Sequence, residues 1–309
     1  MTGLWPRVSS RAAQLAPLLA AVLVGLPAAT PGAAAHAGAH ASGKGSLDTS
    51  ALAIGDGKRS TSPQRGYLMA CNPVIGGVAP TGPWIHGTTW SFPEKPTVSG
   101  SVSYPEASVT ITVSGSVRRI VSNDLPVNHT TGIFPTQPSD DAYMYDPGNQ
   151  GSVTAQSIDL SIPAKPKKTT PSCAGGQVGV MTSGVRLLNG FDANGFDAAA
   201  HEMQDDCSGH PNNAGYHYHS LPLCIPSGKK GRHSKLIGWA FDGFPIYGPL
   251  GEDGEYMRND DLDACHGHTH KVKIDGKTKR LFHYHATQEF PYTVGCFRGT
   301  PTALQPPPP

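Results

Sequence analysis

Lys271-Val272-Lys273-Ile274-Asp275-Gly276-Lys277-Thr278-Lys279-Arg280-Leu281-Phe282-His283-Tyr284-His285 is the stretch on which the fold turns. Asp-Gly between two alternating runs is the strongest short-range hairpin signal. A two-residue turn fixes the register. Ile274 then faces Lys277, His268 faces His283, and His266 faces His285. Directly opposed residues share a face, with Cβ atoms roughly 4.5–5.5 Å apart. The pairing predicts four histidines on one face of one hairpin, provided no bulge at Gly267 breaks it.

Working outward, the tripeptide at the end of this hairpin occurs twice. His217-Tyr218-His219 lies between Cys207 and Cys224, and His283-Tyr284-His285 between Cys265 and Cys296. Side chains alternate along a strand, so both imidazoles of His-x-His point one way and the Tyr the other. Two such strands brought together would make one patch of four imidazoles. Neutral imidazole is the commonest metal ligand, and such a set suits Zn, Cu, Fe or Ni. A plain packing role is the better reading for a single His-x-His. Two copies, with His210, His266, His268 and His270 nearby, favour a metal or catalytic cluster.

The candidate ligands are His217, His219, His283, His285, His210, His266, His268 and Asp242. A helix expected over Asp197–Asp206 would place His201 and Asp205 on one face, with Glu202 and Asp206 beside them. The likeness of this run to H-E-x-x-H stops at Asp205, so a metalloprotease motif is not formed. Asp192 to Asp197 reads as an Asp/Gly turn rather than a calcium loop. G-x-S-x-G, G-x-x-x-x-G-K-[ST] and G-x-G-x-x-G do not occur, which disfavours familiar serine hydrolases, P-loop enzymes and nicotinamide enzymes.

The N-terminus carries Arg7 and Arg11, an apolar run from Leu15 to Ala29, and Ala33-Ala34-Ala35. That is the pattern of a secretory signal peptide, expected over 1–35. The run is too short and Pro-interrupted to be a membrane span. Its removal takes two arginines and no acid, moving the net charge from +1 to about −1. A near-neutral chain disfavours nucleic acid as a partner. Six cysteines in an exported chain favour disulfides, expected as Cys207–Cys224, Cys265–Cys296 and Cys71–Cys173.

With 37 Gly and 29 Pro, the composition describes a loop-rich β protein. Strands are expected over Val109–Val113, Val153–Ile162 and Leu236–Phe241, with two more around Thr182-Ser183-Gly184. Pro245 points to an edge or irregular segment. The fold class is mostly β: a disulfide-stabilised β sandwich or barrel-like unit with one or two short helices. A flexible leader is expected over 36–65, an N-terminal β-rich part over 66–170, a histidine-rich part over 171–301, and a Pro-rich tail over 302–309.

The histidine-rich part resembles the YHYH domain family. The resemblance is carried by Asp206-Cys207-Ser208-Gly209-His210-Pro211, Gly215-Tyr216-His217-Tyr218-His219-Ser220 and His233-Ser234-Lys235-Leu236-Ile237-Gly238. Asp242-Gly243-Phe244-Pro245-Ile246-Tyr247-Gly248-Pro249, Leu262 to His268, and His283-Tyr284-His285-Ala286-Thr287 continue it. The second copy departs from the pattern, with Phe282 where a leading Tyr is expected. The resemblance implies an exported, mainly bacterial protein without a settled activity. Two functions follow as expectations. One is transition-metal binding (Zn, Cu or Fe), extending to hydrolysis by a metal-activated water. The other is a secreted binding or structural module whose His-Tyr-His strands serve packing.

Overall fold

The computed structural model describes residues 47–146, 151–229 and 231–302. The expected signal peptide, residues 36–46 of the leader and the tail from 303 lie outside them.

Thr110 and Thr112 alternate with Val109, Ile111 and Val113 along β1 (Val109–Ser114). It pairs antiparallel with β2 (Val117–Ser122), and β2 with β3 (Ile158–Pro163). The inward residues of β2 and β3 (Ile120, Ile158, Leu160 and Ile162) are buried. The second sheet contains β4 (Gln177–Met181), β5 (Arg186–Leu188), β6 (Gly209–Asn212) and β7 (Gly215–Tyr218). It continues through β8 (Leu236–Ala240), β9 (Pro245–Tyr247), β10 (Gly267–Ile274) and β11 (Lys277–His285). The order is β6-β7-β5-β4-β8-β9-β11-β10, an open sheet not closed into a barrel. The fold is therefore mostly β, and its disulfides are Cys71–Cys173, Cys207–Cys224 and Cys265–Cys296.

The β10–β11 hairpin adopts the register set by its turn, including Ile274 opposite Lys277 and His268 opposite His283. Asp275 and Gly276 both take positive φ, as the primed turn requires. Three expectations are corrected. The helix expected to Asp206 is only α1 (Ala198–His201), capped by the Asp197 carboxylate. It ends because Glu202 is extended, so His201 and Asp205 share no helical face. Pro245 lies in an inner strand, where it is tolerated as the first residue. Residues 47–65 are not a flexible leader, because Leu52 and Ile54 are buried in the core and Leu52–Ala53 pairs with Thr89–Trp90.

The two halves of the chain are stitched together. Arg118 on β2 donates to both oxygens of Asp275 at the far hairpin tip, at 2.9 and 3.0 Å, and its guanidinium lies 4.7 Å from the Trp239 ring centre. Ser122 Oγ donates to the Gly184 carbonyl at 2.6 Å. The described residues belong to one compact unit.

Candidate metal centres

The eight-stranded sheet is an internal duplication. Val178-Gly179-Val180 on β4 corresponds to Ile237-Gly238-Trp239 on β8, and Val180 pairs with Trp239 at the local two-fold. The following turns match: Gly184 and Gly243 have φ of 86° and 85°. Each is closed by the same pair of backbone bonds, Met181 N to Val185 O at 2.8 Å and Ala240 N to Phe244 O at 2.9 Å.

The next segments match too. Asp205-Asp206-Cys207-Ser208-Gly209-His210 and Asp263-Ala264-Cys265-His266-Gly267-His268 share the pattern Asp-x-Cys-x-Gly-His. In both, the first Asp accepts from the Cys and Gly backbone N–H groups, and the fourth residue turns left-handed (Ser208 φ 63°, His266 φ 69°). Each loop launches its last His into a hairpin with the His-Tyr-His strand: His210 opposite His217, His268 opposite His283. The duplication thus yields two histidine clusters. β7 and β11 are five strand spacings apart, roughly 24 Å along a flat sheet. The expected single patch of His217, His219, His283 and His285 is therefore not formed.

The first centre, B, gathers His233, His268, His283 and His285. His268 Nε2 is 2.9 Å from His283 Nε2 and 3.1 Å from His285 Nε2, and His233 Nε2 is 3.1 Å from His283 Nε2. Three of the opposite nitrogens meet backbone carbonyls: His283 Nδ1 at Leu281 O (3.1 Å), His285 Nδ1 at Gly248 O (2.6 Å) and His233 Nδ1 at Ser234 O (2.9 Å). A carbonyl only accepts, so each Nδ1 carries the proton and each Nε2 presents a lone pair. Burial, with neighbouring imidazoles adding to it, pushes His283 down to about 2, His268 to about 4, and His285 well below its ordinary range. The rings are held neutral, and His233, His283 and His285 turn their Nε2 lone pairs toward one another and toward His268.

The second centre, A, gathers His210, His217 and His219. His217 Nδ1 meets Gly215 O at 3.0 Å, and His219 Nδ1 meets Asn189 O at 2.6 Å. These repeat the Leu281 and Gly248 contacts of centre B. His210 is 4% exposed, and neither of its ring nitrogens has a hydrogen-bond partner. Glu202 Oε2 lies 3.2 Å from His210 Nε2 and 3.4 Å from His219 Nε2, without hydrogen-bond alignment. Burial raises the Glu202 carboxyl, but the facing His210, His219 and His217 outweigh it and hold the carboxyl well below its usual range. Burial and the neighbouring His210 hold His217 well below the usual imidazole range, while burial lowers His219 against the opposing pull of Glu202.

Five expected residues stand apart from both clusters. His266 is turned away by its left-handed φ, and its Nε2 sits 3.0 Å from Thr287 Oγ1. Asp242 lies on the tyrosine side of its strand pair, accepting from Tyr284 Oη at 2.7 Å and from the backbone of Phe244, Arg298 and Gly299. His201 contacts Pro80 O and Asp56, and Asp205 organises its own turn and accepts from Tyr216 Oη. Asp206 accepts from Thr97 Oγ1 at the surface. His233 was not among the expected ligands. It follows a Gly-rich loop without periodicity, and its only signal was its place in the His233-Ser234-Lys235 block. A third grouping, His129 with Cys207 and Cys224, offers no thiolate because the two cysteines are bonded to each other.

A family model described as YHYH protein matches residues 159–254, about a third of the chain. The match spans centre A and His233 and stops short of the second hairpin. That segment of the chain is similar to the YHYH family. No curated protein and no solved structure matches it.

Proposed function

We propose that this protein is an exported YHYH-domain metalloprotein whose centre B, formed by His233, His268, His283 and His285, binds one transition-metal ion. The supporting observation is the proton placement. His233, His283 and His285, with Nδ1–H tied to carbonyls, turn Nε2 lone pairs inward; His233 and His283 face each other in this way at 3.1 Å, where no hydrogen bond can join them, and His268 Nε2 lies 2.9 and 3.1 Å from His283 and His285. A cation relieves that repulsion. Zn–N bonds of roughly 2.0–2.1 Å imply N···N edges of about 3.3 Å in a tetrahedron, close to this spacing.

Zn and Cu suit an all-imidazole set better than Fe, which more often recruits carboxylate. Four protein nitrogens leave no position for water, so centre B fits a structural or electron-carrying ion rather than hydrolysis. Export is supported by the N-terminal signal pattern and three disulfides. No helix among the described residues is long and apolar enough to cross a membrane.

The competing reading makes the His-Tyr-His strands packing elements of a binding module. Its basis is the edge-on contact among the rings, such as His268 against His283 with centres 4.6 Å apart. Metal analysis of protein purified without a His-tag separates the two. We expect His268→Ala and His283→Ala each to lose one equivalent relative to wild type. No bound ion after incubation with Zn, Cu and Fe salts, with variants merely less stable, would leave the packing reading standing.

A further inference from the structure

Centre A differs from centre B in its fourth group and in what lies over it. Three of its positions are equivalent: His210 to His268, His217 to His283 and His219 to His285, the last two pairs with the same Nδ1–carbonyl contacts. The place of the fourth imidazole is not filled. Glu202 stands to one side, near His210 and His219. His210 is buried; its Nδ1 has no hydrogen-bond partner, and its Nε2 meets only the misaligned Glu202 carboxylate at 3.2 Å. Buried polar atoms are rarely left so, and each needs a partner such as an ion.

The second difference is access. A cleft of about 330 Å³ opens onto this centre, lined among others by Arg59, Asn72, Asn189, Glu202, His217 and His219. Its walls mix polar side chains with Val74, Leu188 and Phe191, and Glu202 reaches it with a quarter of its side chain exposed. Arg59 makes no ion pair among the described residues. Three-imidazole centres with a free position are the pattern of sites that bind water or an exogenous ligand.

We infer that centre A is a second metal site, in which His210, His217 and His219 bind a divalent ion whose fourth position faces the cleft and accepts a small anion beside Glu202. The inference stands on its own geometry; only the comparison with centre B rests on the reading above. The cation belongs to the borderline class favoured by imidazole, Zn²⁺ or Cu²⁺ and their spectroscopic substitute Co²⁺. Arg59 adds positive charge to the cleft, and the like-charged Glu202 limits how tightly the anion binds.

The full chain loaded with Co²⁺ and titrated with azide tests this. Wild type is expected to bind two equivalents, with azide changing the visible spectrum. His283→Ala keeps one equivalent and the azide response. His217→Ala keeps one equivalent and loses the response. Glu202→Gln keeps both ions and binds azide about tenfold tighter, because a like charge beside the anion is removed. Val74 lines the cleft and is about half exposed, so Val74→Glu leaves the fold intact and weakens azide binding several-fold.

An azide response lost in His283→Ala and kept in His217→Ala overturns the inference. So does an azide affinity unmoved in both Glu202→Gln and Val74→Glu, the arm that decides should His217→Ala not fold. A single ion that His217→Ala removes and His283→Ala spares would sink the centre B reading while leaving this one intact.

Discussion

The tyrosine of each His-Tyr-His does work opposite to that of its histidines. Tyr284 Oη donates to Asp242 Oδ2 at 2.7 Å and accepts from Arg298 N at 2.8 Å, on the face away from centre B. Tyr284→Phe removes one of the donors holding a buried carboxylate. We expect a loss of about 1–3 kcal/mol in urea denaturation, with metal content unchanged. A variant of normal stability that lost its metal would show that the two faces are not separate. This alternation was legible in the sequence. Which face Asp242 joins was not, because that depends on the strand pairing of Ile246 with Tyr284. The Phe282 departure also becomes intelligible here. Tyr216 Oη, its counterpart, donates to both Asp205 oxygens, whereas beside Phe282 the equivalent Asp263 is met by Arg298 at 3.3 Å. The guanidinium, 5.7 Å from the Phe282 ring centre, takes over the role of the missing hydroxyl.

At the scale of the element, two glycines in one hairpin should respond differently to the same methyl group. Gly276 needs its positive φ of 71° but has open space around its missing Cβ. Gly267 lacks a positive φ, yet a Cβ there would enter the Phe282 ring and press on the His283 carbonyl. Gly276→Ala is expected to cost about 1 kcal/mol, the price of a left-handed alanine, and to retain the metal of centre B. Gly267→Ala is expected to cost about 1–3 kcal/mol through overpacking, and to weaken metal binding by shifting His268 against His283. Urea midpoints and metal stoichiometry on the two variants check this; equal behaviour would refute it. The register of this hairpin could be read directly, because a two-residue turn leaves no freedom. His266 escaped the same logic, since a left-handed residue after the Asp263 turn ends the ladder one pair early. The duplication was present in the repeated Asp-x-Cys-x-Gly-His and in the Val-Gly-Val and Ile-Gly-Trp strands. Reading it would have separated the His-Tyr-His copies into two centres.

Over the whole molecule, the buried imidazoles set how the metal-free protein answers acid. Burial lowers seven histidines: His217, His219, His233, His266, His268, His283 and His285. Among them His266 falls to about 3 and His268 to about 4. Their unfolded value is near 6.5. Below it the unfolded chain takes up protons that the folded chain refuses. Their stabilisation is therefore complete above pH 6.5 and is lost as pH falls toward the folded values. Five carboxyls raised by burial act the other way: Asp124 to about 7, Asp197 to about 6, with Asp192, Asp205 and Asp242 raised as well. Their folded forms hold protons that the unfolded chain has released, so they favour the fold at low pH and lose that contribution as pH rises through the folded value. Between pH 6.5 and 4 the two sets oppose, and the seven imidazoles outnumber the five carboxyls. We expect the urea midpoint of the metal-free chain to fall steadily from pH 7 to pH 4. With metal bound the fall should be steeper, because protons also compete for the Nε2 ligands. A midpoint that holds level or rises on acidification would mean that the buried carboxyls, rather than the imidazoles, set the acid response of the metal-free chain.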